Sequence, residues 1–126
     1  MKLTFLGTNG WYDSGTGQTP SALLETSKYY IIFDAGFGLA KVGELIKDDR
    51  PIFLFLSHFH LDHICGLHAL PKFNFKQGLT ILGRKDIKKL FKTVINHPFS
   101  APLDYLRYKV NLVPLKEGSY TKPFDF

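Results

Sequence analysis

Sulfur is scarce in this chain. Its 126 residues include one cysteine and one methionine. A lone Cys65 excludes an internal disulfide, and it reads as a small buried apolar residue more readily than as a reactive thiol. No apolar run approaches the ~20 residues needed to span a bilayer, so no membrane association is expected. The opening Met1-Lys2-Leu3-Thr4-Phe5-Leu6 meets Gly7 too soon for a signal-peptide core. Together these absences point to a cytoplasmic protein. Acidic residues are also outnumbered, 11 against 16 Lys and Arg, for a formal charge of +5 and a pI near 9.3. That excess suits a polyanionic partner such as a phosphodiester or nucleic acid, although such a charge is ordinary on solvated faces. Neither a repeat nor a linker is visible, and residues 1–126 read as one domain with a modest core. A hydrophobic fraction of 44%, rich in Phe and Tyr, says globular rather than disordered.

The chemistry gathers in one stretch, His58-Phe59-His60-Leu61-Asp62-His63. It follows the apolar run Ile52-Phe53-Leu54-Phe55-Leu56, whose composition suits a strand buried on both faces, and a single Ser57. Side chains two apart on extended backbone point the same way, so His58 and His60 are expected to converge. Asp62 and His63 come where the chain must turn. Three imidazoles and a carboxylate suit zinc, manganese or iron. At a few per cent per residue type, the pattern arises by chance about once in a million positions.

Around this stretch the chain alternates strand and helix signals. Lys2–Leu6 predicts a strand. The Gly-, Thr- and Asn-rich segment from Gly7 to Pro20 predicts a loop, with no Gly-Lys-Ser/Thr to make it a nucleotide-phosphate loop. Its glycines allow either a plain connection or a backbone approach to an anion. Thr8, Trp11 and Tyr12 are candidates for a substrate rim, the two aromatics as stacking platforms or as packing residues. Ser21–Thr26 and Tyr29–Phe33 predict a hairpin. Asp34 before Ala35-Gly36 reads by itself as a turn or cap. Helical spacing predicts a helix over Gly38–Lys47, a short one over Ile64–Leu70, and an apolar stripe at Ile87, Leu90, Phe91, Val94 and Ile95. Arg84, Lys85, Lys88, Lys89 and Lys92 mostly fall off that stripe, as a solvated basic face or a nucleic-acid footprint. Leu79–Leu82 and Lys109–Leu115 predict strands, and Lys116–Phe126 a turn and tail. His68 is read as a packing or supporting histidine rather than a ligand, and His97 as a loop residue.

On its HxHxDH residues, His58, His60, Asp62 and His63, the chain resembles the metallo-β-lactamase superfamily. Leu6-Gly7-Thr8 is similar to the start of its phosphodiester-cleaving branch, which includes the tRNA 3′-processing ribonucleases. The resemblance implies an α/β fold, the αββα sandwich, with this chain as the N-terminal half: a mixed β-sheet with helices packed on one face. It implies that His58 and His60 serve a first metal and Asp62 and His63 a second, with two zinc ions per complete site, or manganese or iron. Asp62 would orient the second metal and assist proton handling, and Asp34, in an Asp-x-Gly, would support the metal loop through the histidines' other nitrogens. Full-length relatives place a further histidine, a bridging aspartate and a last histidine downstream, and no later residue here has that context. Each metal would then have two ligands from this chain, where catalytic zinc takes about three plus water. The implied function is a metal-dependent hydrolase of phosphodiester bonds using a metal-activated hydroxide. The alternative is a catalytically incomplete metal-binding half-domain, completed by a missing C-terminal half or by homo-oligomerisation.

Overall fold

The computed structural model describes residues 1–118. Part of the expected tail, residues 119–126, lies outside the described residues. Six strands form one mixed sheet: β1 (Lys2–Gly7), β2 (Ser21–Glu25), β3 (Tyr30–Phe33), β4 (Ile52–Phe55), β5 (Leu79–Gly83) and β6 (Val110–Pro114). They lie side by side in chain order. The first three run antiparallel, and β3, β4, β5 and β6 run parallel. Each parallel step needs a crossover, and the helical segments provide it. Between β3 and β4 lie a 3₁₀ segment (Phe37–Lys41) and α1 (Val42–Leu45). Between β4 and β5 lie α2 (Leu61–Ile64) and a 3₁₀ segment (Cys65–Lys72). Between β5 and β6 lie α3 (Ile87–Thr93) and a short 3₁₀ turn (Leu103–Tyr105).

The period-2 alternation of the strands decides where the core sits. Leu6, Leu23, Tyr30, Ile32, Ile52, Leu54, Leu56, Leu79 and Ile81 point to one face and join a single apolar cluster with Leu39, Val42, Ile64, Leu67, Ile87 and Phe91 from the crossovers. The helices therefore cover that face. The other face carries two rows set by the strand register. Leu3, Leu24, Ile31, Phe53 and Thr80 make one row; Phe5, Ala22, Phe33, Phe55, Leu82 and Val113 make the other. Phe33 and Phe55 stack there at 6.1 Å. Along β1 this face is open, with Leu3 51% and Phe5 69% exposed.

Two expected helices are wound more tightly than their spacing suggested and have other bounds. Instead of an α-helix over 38–47, the chain makes a 3₁₀ segment and one α-turn. The Phe37 N–H donates to Thr19 Oγ1 and the Gly38 N–H to the Thr19 carbonyl, which caps the opening donors from outside, and Ile46 turns to extended backbone at ψ 113°, ending α1 at Leu45. The helix expected over 64–70 begins earlier, at Leu61, and becomes 3₁₀ from Cys65, with Pro71 inside that segment.

The entry to β4 is fixed by Arg50. Its guanidinium donates to both Asp48 oxygens at 2.8 and 2.9 Å, to the Tyr30 hydroxyl at 2.6 Å and to the Thr26 carbonyl, and it lies 4.1 Å above the Tyr30 ring. This joins the β2–β3 turn, β3 and the start of β4. The hydrogen bond from Arg50 is the main cause that lowers the Asp48 carboxyl to about 2. A carboxyl lowered on folding adds stability that is full above its unfolded value, near 3.8, and disappears as pH falls through about 2. Thermal melts across that acidic window should therefore fall more steeply for the native chain than for Asp48→Asn. Arg50→Ala should melt several degrees lower at neutral pH; equal melting curves for all three proteins would refute the clamp.

Candidate metal centre

The carboxyl ends of parallel strands share one edge of a sheet, and such edges are where α/β folds place their ligands. Here β3 ends into Asp34 and β4 ends into Ser57 and His58. Asp34 takes up φ 57°, a left-handed conformation that Asp tolerates better than most residues. Its carboxylate accepts from the Ser57 N–H at 2.8 Å and lies 2.9 and 2.8 Å from the Ser57 hydroxyl. His63 Nδ1 stands 2.9 Å from Asp34 Oδ2, off the line of a straight hydrogen bond.

These contacts select proton positions. An ionised carboxylate only accepts, so the Ser57 proton goes to Asp34. Ser57 Oγ, 3.0 Å from His58 Nδ1, then accepts the Nδ1–H of that ring. His58 Nε2 is left with its lone pair free, as a metal ligand requires. His63 likewise turns Nδ1 toward Asp34 and Nε2 toward Asp62, whose Oδ2 is 3.7 Å away.

The three imidazoles form one group. The His58 ring centroid lies 4.6 Å from that of His60 and 4.0 Å from that of His63. Strand alternation is not the cause, because β4 stops at Phe55; His58 lies in the loop and His60 is the residue capping α2. Asp62 sits beside them with its side chain only 12% exposed. The Trp11 backbone N–H donates to Asp62 Oδ2 at 2.9 Å, with Trp11 itself at φ 67°. That hydrogen bond holds the Asp62 carboxyl below the ordinary carboxylate range against the opposing effect of desolvation, and His63 and His60 act in the same direction as the bond. Asp62 is thus an anion at neutral pH.

Two glycines permit the close approach that builds this centre. A side chain on Gly36 would meet the Asp62 carbonyl, and one on Gly66 would meet the Gly36 carbonyl. The Gly66 N–H donates to the Ala35 carbonyl at 2.7 Å and the Ala35 N–H to the His63 carbonyl at 2.8 Å. The turn after β3 is thereby stitched to α2.

The donor set fits a divalent cation in kind: imidazole nitrogens with an acceptor behind them and an ionised carboxylate at one locus. Among the described residues, no group of three or more His, Cys, Asp or Glu side chains is placed so that it could hold one metal ion. Of the other candidates, Trp11 lines a cleft of about 380 Å³ with Phe59, His60, Leu61 and Asp62. Thr8 and Tyr12 are exposed and do not line it. His68 is exposed and packs edge-on against Phe37 at 5.5 Å. His97 meets the Tyr105 ring. Ser57 and Phe59 were not anticipated. A hydroxyl directly before the first histidine was the one available signal for Ser57.

Comparison with known proteins bears on this centre. The family model described as the metallo-beta-lactamase superfamily matches residues 14–80, more than half of the chain. Ribonuclease Z of Bacillus velezensis is 30% identical over all of this chain and 42% of its own length, and that of Methanosarcina acetivorans 27% identical over 94% and 39%. The chain thus spans about two fifths of the curated relatives it matches. Among solved structures, human tRNase Z, short form, is similar with a TM-score of 0.64 and 27% identity, covering 91% of this chain and 47% of that one. The metallo-beta-lactamase fold protein YhfI of Bacillus subtilis aligns with a TM-score of 0.65 at 21% identity, a likeness of fold.

Asp34→Asn keeps the tolerance for φ 57° and removes the charge behind Ser57 and His63. It should weaken cobalt(II) uptake, followed by visible absorption, by about 10- to 100-fold while leaving far-UV circular dichroism unchanged. Gly66→Ala should instead destabilise the fold by about 1–3 kcal/mol, read from denaturant unfolding. Unaltered cobalt affinity in the first variant would remove Asp34 from the centre.

Proposed function

The chain belongs to the metallo-beta-lactamase superfamily, and from that premise we propose that it supplies the metal-binding part of a metal-dependent hydrolase of phosphodiester bonds. The observation that carries this reading is the gathering of His58, His60 and His63 with an ionised Asp62 at the carboxyl edge of the parallel strands. Relatives named ribonuclease Z favour a phosphodiester, and RNA in particular, over other esters, and the basic balance of the chain agrees.

In this reading His58 and His60 hold one cation, and Asp62 and His63 another, with zinc the first choice for such donors and manganese or iron the alternatives. When bound, such cations lower the pKa of water toward neutrality and stabilise the charge that develops on phosphorus oxygens. The contribution of this chain is orientation. Ser57 and Asp34 fix which nitrogen of His58 faces outward, and the Trp11 amide holds Asp62 in place and ionised. A pair of residues per ion is fewer than a catalytic zinc site uses, so the remaining ligands would come from beyond the described residues.

A second reading rests on length and on the open sheet face. The chain spans about two fifths of the curated relatives it matches, and Leu3, Phe5 and Phe33 leave large apolar area in water. A half-domain of this kind would bind metal without turnover until a second half or a second copy covered that face.

Elemental analysis together with hydrolysis of a generic phosphodiester, with and without chelator, separates the two. Hydrolysis that stops on chelation and falls at least 100-fold in His60→Ala supports the hydrolase. Metal content without turnover supports the half-domain, and no metal affinity at all overturns both. On the second reading, sedimentation should show self-association that Phe5→Asp reduces.

A further inference from the structure

We infer that the amino edge of the parallel strands, opposite the candidate metal centre, carries a binding site for a small zwitterion with an apolar body, the chemistry of a free amino acid or a short peptide. The inference stands apart from the hydrolase reading and uses none of its residues.

The site is a cavity of about 550 Å³, within the roughly 300–1,000 Å³ typical of small-ligand sites. It opens between the two crossovers on either side of β4. Gly43, Glu44 and Lys47 to Asp49 come from the crossover before β4, and Lys72 to Gln77 from the one before β5. Its floor is aromatic and fixed. Phe73 and Phe75 are buried and stack at 5.0 Å, Phe75 meets the Tyr108 ring at 5.3 Å, and the Tyr108 hydroxyl donates to the Leu70 carbonyl at 2.8 Å. Gly43 leaves the space over this floor open, because a side chain there would start 3.1 Å from the Phe73 ring. The walls are tied together as well. Gln77 Nε2 donates to the Asp48 carbonyl at 3.1 Å and to the Arg50 carbonyl at 3.2 Å, joining the second crossover to the segment that Arg50 clamps. A cavity braced in this way is preformed, and a ligand entering it has little of the protein to order.

The rim carries both signs of charge. Lys47, Lys72 and Lys76 stand around it with Glu44, Asp48 and Asp49. Asp48 is committed to Arg50. The other five make no ion pair among the described residues, although opposite charges share one cavity. A plain anion would meet the lysines but also two uncompensated carboxylates, and a plain cation would meet three ammonium groups. A ligand with both an ammonium and a carboxylate offers a partner to each sign, and an apolar body between them covers the phenylalanine floor.

Isothermal titration calorimetry of the chain with L-phenylalanine and with the dipeptide phenylalanyl-alanine tests the site, and the tighter of the two separates a free amino acid from a peptide as the source. N-acetyl-L-phenylalanine keeps only the negative charge, L-phenylalanine amide only the positive one, and inorganic phosphate supplies a bare anion. Saturable binding of at least one zwitterion is expected, weakened roughly 2- to 5-fold by blocking either charge and unchanged by chelator or by His60→Ala. Gly43→Leu, which fills the space over Phe73, should abolish binding with near-native circular dichroism. The double variant Lys72→Ser, Lys76→Ser should weaken the acetylated probe and not the amide, and it keeps the test decisive if Gly43→Leu fails to fold. No saturable binding of either zwitterion, equal affinity for blocked and free forms, or phosphate binding as tightly overturns the site. Binding that disappears on chelation would place the ligand at the candidate metal centre, which overturns the cavity and leaves the hydrolase standing; zwitterion binding in a protein that never hydrolyses would do the reverse.

Discussion

The candidate centre hangs on one carboxylate. Asp34 closes β3, and the parallel pairing of β3 with β4 brings it beside Ser57. From there its charge reaches two imidazoles, His58 by way of the Ser57 hydroxyl and His63 by direct approach. Each ring thereby presents its other nitrogen outward. The left-handed backbone of Asp34 is tolerable because an Asp occupies it and because its own N–H is bonded to the Phe55 carbonyl at 2.8 Å. Strain of this kind survives where surrounding bonds over-determine the position.

The second brace comes from the opposite direction. The loop between β1 and β2 sends the Trp11 amide to Asp62, across 51 positions of chain. Asp34 sets the histidines from beneath, while Trp11 sets the carboxylate from the rim. Because the backbone N–H makes the contact, the indole is free to serve as a wall. The same loop also caps the 3₁₀ segment that starts after Gly36 by accepting its first two donors, Phe37 and Gly38 N–H. One loop thus shapes the crossover, the Asp62 carboxylate and the cleft.

Much of the candidate centre was legible in the residues, because histidine is scarce in the chain and the HxHxDH stretch packs three histidines and an aspartate into six positions. The strands were legible too: the hairpin signal of β2 and β3 and the unbroken apolar run of β4 each match one physical environment. The partners of these side chains were not. Ser57 looks like a spacer until β3 and β4 are placed in parallel with Phe33 opposite Phe55, and that register is a property of the sheet. Phe59 and Arg84 are far apart in sequence and meet only because β4 and β5 are neighbours. The convergence of His58 and His60 was anticipated on the wrong ground, strand alternation, where a loop and a cap do the work. Helix lengths failed for a related reason, since periodicity reports which face is apolar and is silent on whether 3₁₀ or α hydrogen bonds hold it.

The strands lie in the sheet in the order in which they occur in the chain. No strand has to be threaded between two earlier ones, so each can dock on its predecessor as soon as it leaves the ribosome. Assembly of this kind needs only modest loop closures, which keeps its entropic barrier low. The metal centre is the exception, since its braces join segments on either side of β3 and β4. A growing chain would therefore lay down its first four strands before α2 brings Asp62 and His63 to the edge, and add β5 and β6 only afterwards.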